Sequence, residues 1–358
     1  MKSLLKKIIP LNSRRKIKTW FSVINLRVLD FCSKSIVFTK IYYTLFNNYY
    51  TYEQKATLSG KVAFIKAIAK EKATSPQLRR NIHRLEKGLI MKPRRDVFGE
   101  AFILDTIDMF LVAFRSNKTC KEELQWALDV LNEYFSVVSD TKIIKQARDS
   151  YMDIVKTGGY TIENKKPYIR NDNMTNTISP EQLQGLFQQR RSIRWYKDET
   201  VDESLIEKAI TLASSAPSAC NRQPFEFLVI NNAKNAQRIT ALAAGTAGFY
   251  QQVPCVILVV GDLSCYPSEA DKNVIYIDSS LASMQLMLGL ETLGLSSCPI
   301  NWPINNDREK RIREIIKFPD YKKVIMMISV GYADEEGMIP FSAKKTNELL
   351  RTNLEQYK

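Results

Sequence analysis

The sequence predicts an α+β protein in which an all-α N-terminal region precedes a sheet domain flanked by helices. Residues 59–158 carry apolar side chains at helical spacing, in segments joined by short connections. Beyond residue 178, helical patterns alternate with short apolar runs such as 225–230 and 255–260, which are typical of strands. A polar, turn-rich stretch separates the two halves and indicates a linker.

Length and composition favour a folded cytoplasmic protein. A chain of 358 residues with 45% hydrophobic residues is long enough for about two domains of roughly 100–200 residues each. Six scattered cysteines without a C-x-x-C pair, and the single histidine His83, argue against a metal site and suit a reducing compartment. We find neither a secretory signal nor an uncharged apolar run of about 18 residues, so we expect no spanning helix.

The positive charge is concentrated at the N-terminus. Residues 1–50 hold ten Lys and Arg against the single acid Asp30, a net charge of +9, and leave only +5 of the total +14 for the other 308 residues. Basic clusters alternate there with apolar and aromatic side chains. This pattern is typical of a peripheral membrane contact, and a helix packed on its own protein with solvated lysines is the alternative. No recognised nucleic-acid module accompanies the charge, so we expect no nucleic-acid partner.

Four regions follow from these patterns. Residues 1–50 form a basic amphipathic and aromatic segment, 51–158 a helical domain or cap, 159–178 a linker and 179–358 the sheet domain. Three or four helices with short connections imply a small bundle or a helical cap in the second region.

One stretch of the helical region carries candidate chemistry. His83 and Glu86 are three residues apart and are predicted to share a helix face, which would permit an acid–base pair or half of a metal site. A surface helix with ion pairs that ends at Gly88 as its C-cap accounts for the same residues. Both interpretations stay open at this point.

The sheet domain begins with recognisable helix starts. Ser179-Pro180-Glu181 predicts a helix that runs to about Gln189, and Asp202 is a predicted N-cap for the next helix. That helix stops before a polar loop at 217–224, which is too rich in hydrogen-bonding groups to be only a connection. Strands at 225–230, 255–260 and 323–330 and a long helix at 273–293 complete the pattern.

The segment after the first of these helices is a candidate phosphate site. If the backbone is extended there, Arg190, Ser192 and Arg194 project to the same side, because strand side chains alternate. Two guanidiniums with a hydroxyl between them suit a phosphate monoester. A charged turn between a helix and a strand is the alternative.

Five segments in this order resemble the FMN-dependent nitroreductase family over about residues 180–355. The resemblance rests on Arg190-Arg191-Ser192-Ile193-Arg194, the loop from Ala216 to Phe225, Leu293-Gly294-Leu295-Ser296-Ser297-Cys298-Pro299-Ile300, Ser329-Val330-Gly331-Tyr332 and Lys344-Lys345. The stretch from His83 to Gly88 is similar to that of a long subgroup associated with bacterial surface-polysaccharide gene clusters.

The resemblance implies a division of roles around FMN. Arg190 and Ser192 would hold the phosphate together with Lys344 or Lys345, and Arg194 would lie at the N1/O2 edge of the ring. A cation there stabilises the negative charge that builds on the ring during reduction. The resemblance extends the cofactor-binding set to Arg191, Gln223, Pro299, Ile300 and Asn301, the last two through backbone N–H groups that follow a turn at Cys298-Pro299.

The resemblance also implies a homodimer with two shared sites. Pro217, Ser218 and Asn221 fall where the family contacts flavin from the partner subunit. No side-chain acid or nucleophile is required, because the flavin performs the reaction. We therefore expect Cys220 and Cys298 to be buried spectator thiols.

One departure from the family concerns the lid. Only 23 residues lie between Ile230 and Pro254, in place of a long excursion that caps the flavin and contributes an Asn to it. Part of the N-terminal helical half is therefore predicted to form the lid.

The implied function is an FMN-dependent oxidoreductase that takes hydride from NAD(P)H and reduces an organic small-molecule acceptor. The alternatives are an FMN-dependent dehydrogenase or oxidase acting on a metabolite or a cell-envelope polysaccharide precursor, and a non-catalytic dimeric scaffold docked to a membrane or an envelope-synthesis complex.

Overall fold

The computed structural model describes most of the chain. It covers residues 11–47, 49–67, 73–116, 118–158, 161–170, 177–303 and 306–357. Two compact units are distinguished, one formed by Met1–Lys55 with Ile304–Glu309 and the other by Ala56–Pro303 with Lys310–Lys358.

Among the described residues of the first unit, 11–46 form two helices and a π-helical turn. They are α1 (Leu11–Ser33), α2 (Ile36–Ile41) and the turn Tyr42–Phe46. Several large apolar side chains are exposed, among them Trp20 and Leu26. No described helix is long and apolar enough to cross a membrane. Residues 1–10 of the predicted basic segment lie outside the described residues, and its membrane contact stays a prediction.

The described residues of the helical region form five helices, whereas the sequence predicts three or four. Its helices are α3 (Thr51–Ala67), α4 (Pro76–Leu89), α5 (Glu100–Arg115), α6 (Lys121–Val137) and α7 (Lys142–Gly158). The last four enclose one apolar core, in which Ile82 of α4, Phe110 of α5 and Leu131 of α6 are fully buried. Amphipathic helices are stabilised mainly by burial of their apolar faces. Helices α4 to α7 bury these faces against one another and therefore form a bundle with a core of its own.

Gly88 does not have the role predicted for it. Helix α4 starts at the N-cap Ser75, whose side chain accepts from Leu78 N, and continues past Gly88 to the C-cap Ile90. A Cβ at Gly88 would lie 2.2 Å from the Phe98 ring. The C-cap prediction is therefore wrong: the glycine makes room for an aromatic side chain of the following loop.

The described residues of the sheet domain form one sheet of four antiparallel strands. They are β1 (Phe225–Ile230), β2 (Cys255–Asp262), β3 (Ser296–Asn301) and β4 (Lys322–Gly331), in the spatial order β1-β2-β4-β3. Both faces of β2 are covered, since its alternate side chains enter two different apolar cores. Antiparallel pairing beside helices confirms the predicted α+β class.

The predicted turn at Cys298-Pro299 is wrong, because these residues lie within β3. Pro299 is paired with Ile328 of β4, and β3 is an edge strand of the sheet. Proline lacks the N–H needed inside a sheet but is tolerated on an edge strand. The edge position of β3 leaves its outer side available to the candidate phosphate segment.

Helices cover the sheet domain. They are α8 (Pro180–Gln189), α9 (Glu203–Ala213), α10 (Ala233–Thr240), α11 (Val274–Thr292), α12 (Asn306–Ile315) and α13 (Asn347–Leu350). Ser179 forms a capping box with Gln182, and Asp202 accepts from Ser204 N, so both predicted helix starts are confirmed.

Candidate active site

The segment 190–194 runs along the free side of β3. Ser192 forms a parallel bridge with Ser297, and Ile193 N donates to Ser297 O at 3.1 Å. Tyr196, fully enclosed two residues further on, donates its hydroxyl to Ile193 O at 2.7 Å. Pairing with β3 and the hydrogen bond from the buried Tyr196 hydroxyl therefore hold the backbone of residues 192 and 193 in place, and with it the directions of the side chains in this segment.

These side chains line a small cavity. Its volume is about 120 Å³, and its lining residues are Phe187, Arg190, Arg191, Ser192, Arg194, Ile339, Pro340, Ser342 and Lys344. The structure thus brings together five residues that the sequence assigns to FMN. The cavity is smaller than the roughly 300–1,000 Å³ of a complete ligand pocket, so it has room for the phosphate end of a cofactor and not for its ring.

The cavity depends on a contact that the sequence does not reveal. The guanidinium of Arg191 donates from Nη2 to Pro340 O at 2.7 Å and also to Phe341 O. The chain segment that carries Lys344 is thereby held against the phosphate segment. Residues 191 and 340 are 149 positions apart, and no local sequence pattern relates them.

The donor set fits a phosphate. Arg190 Nε is buried and has no hydrogen-bond partner among the described residues. Such a group is costly unless an acceptor reaches it. Arg194 donates to Ser192 O at 3.3 Å, and its guanidinium lies 5.9 Å from the Phe249 ring centroid. A cavity with four cationic side chains and an unsatisfied buried donor is suited to a dianion.

Two groups near the cavity have pKa values on which its arginines act. Burial raises the pKa of the Glu291 carboxyl, while a hydrogen bond from Gln189 and the charge of Arg190 oppose the rise. Burial likewise raises the pKa of the Cys298 thiol, with nearby Arg194, Ser192 and Arg190 opposing. Cys298 is therefore a buried thiol rather than a thiolate, as predicted, whereas Cys220 is only half-buried.

The loop 217–223 has an unusual backbone. Cys220, Asn221 and Gln223 have φ values of +54°, +52° and +49°, in the left-handed region that non-glycine residues seldom adopt. Internal bonds support it: Gln223 N donates to Ser218 Oγ at 3.1 Å, and Gln223 Nε2 donates to Asn221 Oδ1 at 3.2 Å. Strained backbone of this kind persists only where its surroundings hold it.

Asp278 of α11 supports the same loop from the sheet side. Its Oδ2 accepts from Ala219 N at 3.0 Å. Burial raises the pKa of this carboxyl, and the Ala219 N–H and the charge of Arg222 oppose that rise. A buried acceptor therefore fixes the start of the short 3₁₀ turn Ala219–Asn221.

Within one chain the other predicted cofactor residues do not join the cavity. None of Pro217, Ser218, Asn221 and Gln223 lines it, and neither do Pro299, Ile300, Asn301 and the exposed Lys345. Pro299 and Asn301 are exposed on β3, whereas Ile300 is buried.

The helical region reaches the loop through α4. Arg79 donates from Nε to Asn221 O at 2.9 Å and from Nη1 to Glu123 Oε2 at 3.1 Å. Glu123 is buried, and its other oxygen accepts from Ser75 N at 2.8 Å. We call Arg79 with Glu123 and Asn221 the loop clamp. Sequence analysis missed it, because its partners are 44 and 142 positions from Arg79.

His83 belongs to a hydrogen-bonded group on the same helix. Its Nδ1 lies 3.2 Å from Glu86 Oε2, which confirms the shared helix face. Glu86 also accepts from Trp126 Nε1 at 3.0 Å. In the part of the chain that the structure describes, no group of three or more His, Cys, Asp and Glu side chains could hold a metal ion.

Comparison with known proteins identifies relatives of the sheet domain. The profile of the Nitroreductase family matches residues 187–252 and 236–332. A protein of Archaeoglobus fulgidus, named as a candidate NADH dehydrogenase/NAD(P)H nitroreductase, is 31% identical over 41% of this chain and 83% of its own length. An NADH dehydrogenase of Thermus thermophilus is 29% identical over 41% of this chain and 85% of its own. The solved structure of an FMN-dependent nitroreductase from Clostridium difficile is 28% identical, with a TM-score of 0.41, over 47% of this chain and 98% of its own.

Proposed function

The chain belongs to the nitroreductase family of FMN-dependent oxidoreductases, and we propose that it takes electrons from NADH or NADPH and passes them to an organic acceptor. The relatives from A. fulgidus and T. thermophilus carry NADH or NAD(P)H in their names, which supports a nicotinamide donor. FMN, when bound, supplies the redox chemistry.

The cavity beside β3 is the observation that carries the proposal. Arg190, with its unsatisfied buried Nε, would donate to the FMN phosphate together with Ser192 Oγ and Lys344 Nζ. Arg191 would act differently, because its guanidinium is engaged by the backbone of residues 340 and 341. Its role is to hold the segment that carries Lys344 in place.

Arg194 is placed to act beyond the phosphate. Its guanidinium lies at the cavity wall next to Phe249. A fixed cation beside a ring that gains electrons stabilises the reduced form, and it does so without reorganisation at the moment of transfer. We assign to Arg194 this electrostatic role rather than proton transfer.

We propose that the protein is a homodimer in which the loop 217–223 completes the site of the partner. The exposed apolar side chains Ile277, Leu281 and Met284 lie at helical spacing on α11, and Leu183 and Phe187 are exposed on neighbouring α8. A face of this kind is typical of a subunit interface. Light scattering should give twice the mass of 41.2 kDa, and Leu281→Glu should shift it towards the monomer.

The experiment for the proposed function is an absorbance titration of the purified protein. We expect a bound flavin spectrum that matches FMN and that bleaches when NADH or NADPH is added without oxygen. Reoxidation by a nitroaromatic or quinone acceptor would complete the cycle. A protein that binds added FMN and is not bleached by either nucleotide would contradict the proposed electron donor.

A further inference from the structure

Two arginines of α4 have no ion-pair partner among the described residues. Arg80 and Arg84 are both half-buried, one helical turn apart. The two carboxylates of the adjoining network are already engaged, Glu123 by Arg79 and Glu86 by His83 and Trp126. An unpaired cation that has lost part of its water is unfavourable unless an anion reaches it.

Arg84 is held in place without being neutralised. Its guanidinium carbon lies 3.6 Å from the centroid of the Phe102 ring, a cation–π contact. Its only hydrogen bond in the described structure is a long one, 3.5 Å from Nη1 to Asn81 Oδ1. Burial lowers the pKa of Arg84, and the charge of Arg80 lowers it further. The side chain is thus ordered, close to a like charge and free to bind an acceptor.

The position of the pair relates it to the candidate active site. Helix α4 packs against the 3₁₀ turn 219–221, and the loop clamp fixes one flank of this contact. Cys220, in the middle of the turn, is close enough to Arg84 to influence the pKa of the guanidinium. Arg80 and Arg84 therefore stand beside the loop that would contact the flavin of the partner.

We propose that Arg84, with Arg80 beside it, binds an anionic group of the electron acceptor, which makes the acceptor an organic anion. The inference rests on the proposed function, because it takes the loop 217–223 to border the flavin. A guanidinium presents paired donors that match a carboxylate or a phosphate oxygen pair. The helix that the family profile does not cover would then select the substrate, while the sheet domain holds the cofactor.

Two probes of nearly equal size test the charge preference. FMN-loaded protein is titrated by calorimetry with 4-nitrobenzoate and with the neutral 4-nitrobenzyl alcohol, and each is then used as acceptor in steady-state assays. We expect the wild type to prefer the carboxylate by about tenfold or more, the scale of a charged hydrogen bond. In Arg84→Gln we expect the KM for 4-nitrobenzoate to rise until the preference is lost, with kcat nearly unchanged. Arg84→Lys, which keeps the charge, should retain part of it.

Arg115→Gln is the matched control, because Arg115 is an exposed arginine at the end of α5. Equal binding of both probes by the wild type and Arg84→Gln would overturn the inference, as would a loss confined to the KM of NADH or NADPH. Circular dichroism establishes that each variant is folded. If neither nucleotide bleaches the flavin but carboxylate binding still depends on Arg84, the electron donor is wrong and the anion site stands.

Discussion

The cavity beside β3 and the loop 217–223 are both expected to contact FMN, yet they are built in different ways. The cavity is assembled from an extended segment on a sheet edge and a C-terminal segment that Arg191 holds in place. The loop has a strained backbone and is braced from two sides, by Asp278 of α11 and by Arg79 of α4. We infer that the sheet domain alone holds the phosphate, whereas the loop depends on the helical region.

The largest effect is expected from removing the loop clamp. Arg79→Ala leaves Glu123 charged and buried without its cation, which typically costs about 3–5 kcal/mol. We expect the free energy of unfolding by urea to fall by that amount. The preference in KM for 4-nitrobenzoate over 4-nitrobenzyl alcohol should also decrease, whereas the preference for FMN over riboflavin should not change. Arg79→Gln combined with Glu123→Gln removes both charges and should recover much of the stability. A stability of Arg79→Ala equal to that of Arg115→Ala would show that the clamp has no role.

The next effect concerns the cavity alone. Arg190→Ala removes the unsatisfied buried donor and should weaken FMN binding by about 10–100-fold, the scale of one charged hydrogen bond at about 1.5–3 kcal/mol. Riboflavin, which has no phosphate, should bind both proteins equally. Fluorescence titration of the apoprotein measures both affinities. Equal losses for FMN and riboflavin would mean that Arg190 supports the fold rather than the phosphate.

A smaller effect is expected from the segment that carries Lys344. Arg191→Gln removes hydrogen bonds to backbone carbonyls, worth about 0.5–1.5 kcal/mol each. FMN affinity should fall by about 3–10-fold, and proteolysis within residues 338–346 should become faster. The same titration and a limited trypsin digest provide the measurement. Unchanged cleavage with reduced affinity would instead place Arg191 at the phosphate.

The smallest effect is a pH dependence at the other brace of the loop. The pKa of Asp278 is raised in the folded state, chiefly by burial, so its stabilising contribution is complete below the unfolded pKa of about 3.9 and is lost as the pH rises through the folded pKa. Asp278→Asn keeps an acceptor for Ala219 N and removes the titration. Relative to the wild type, it should therefore become more stable as the pH increases from 3 to 7. A difference in unfolding free energy that is constant over this range would contradict the assignment.

Local features of the sequence predict much of the fold. The capping residues Ser179 and Asp202, the continuous apolar run of β2 and the helical periodicity of residues 59–158 all appear where expected. Each of these signals depends on neighbours a few positions away. The sequence also predicts that Arg190, Ser192 and Arg194 share one site, and all three line the same cavity, although Arg191 between them lines it too and simple alternation does not account for its position.

The errors and omissions involve contacts that sequence spacing does not encode. Gly88 is explained by the ring of Phe98, and Cys298-Pro299 by the pairing of β3 with β4, neither of which is visible in the local pattern. The clamp from Arg79 to Asn221 and the bond from Arg191 to Pro340 join residues more than a hundred positions apart. Both become evident only when the tertiary structure is known.

A crystal structure of the FMN-loaded protein tests the central claim most directly. We predict that the FMN phosphate lies within hydrogen-bonding distance of Arg190 Nε, Ser192 Oγ and Lys344 Nζ of one protomer, and that the loop 217–223 of a second protomer, backed by its α4, borders the ring. A phosphate bound away from the cavity beside β3, or a ring that contacts only the loop of its own protomer, would contradict the account.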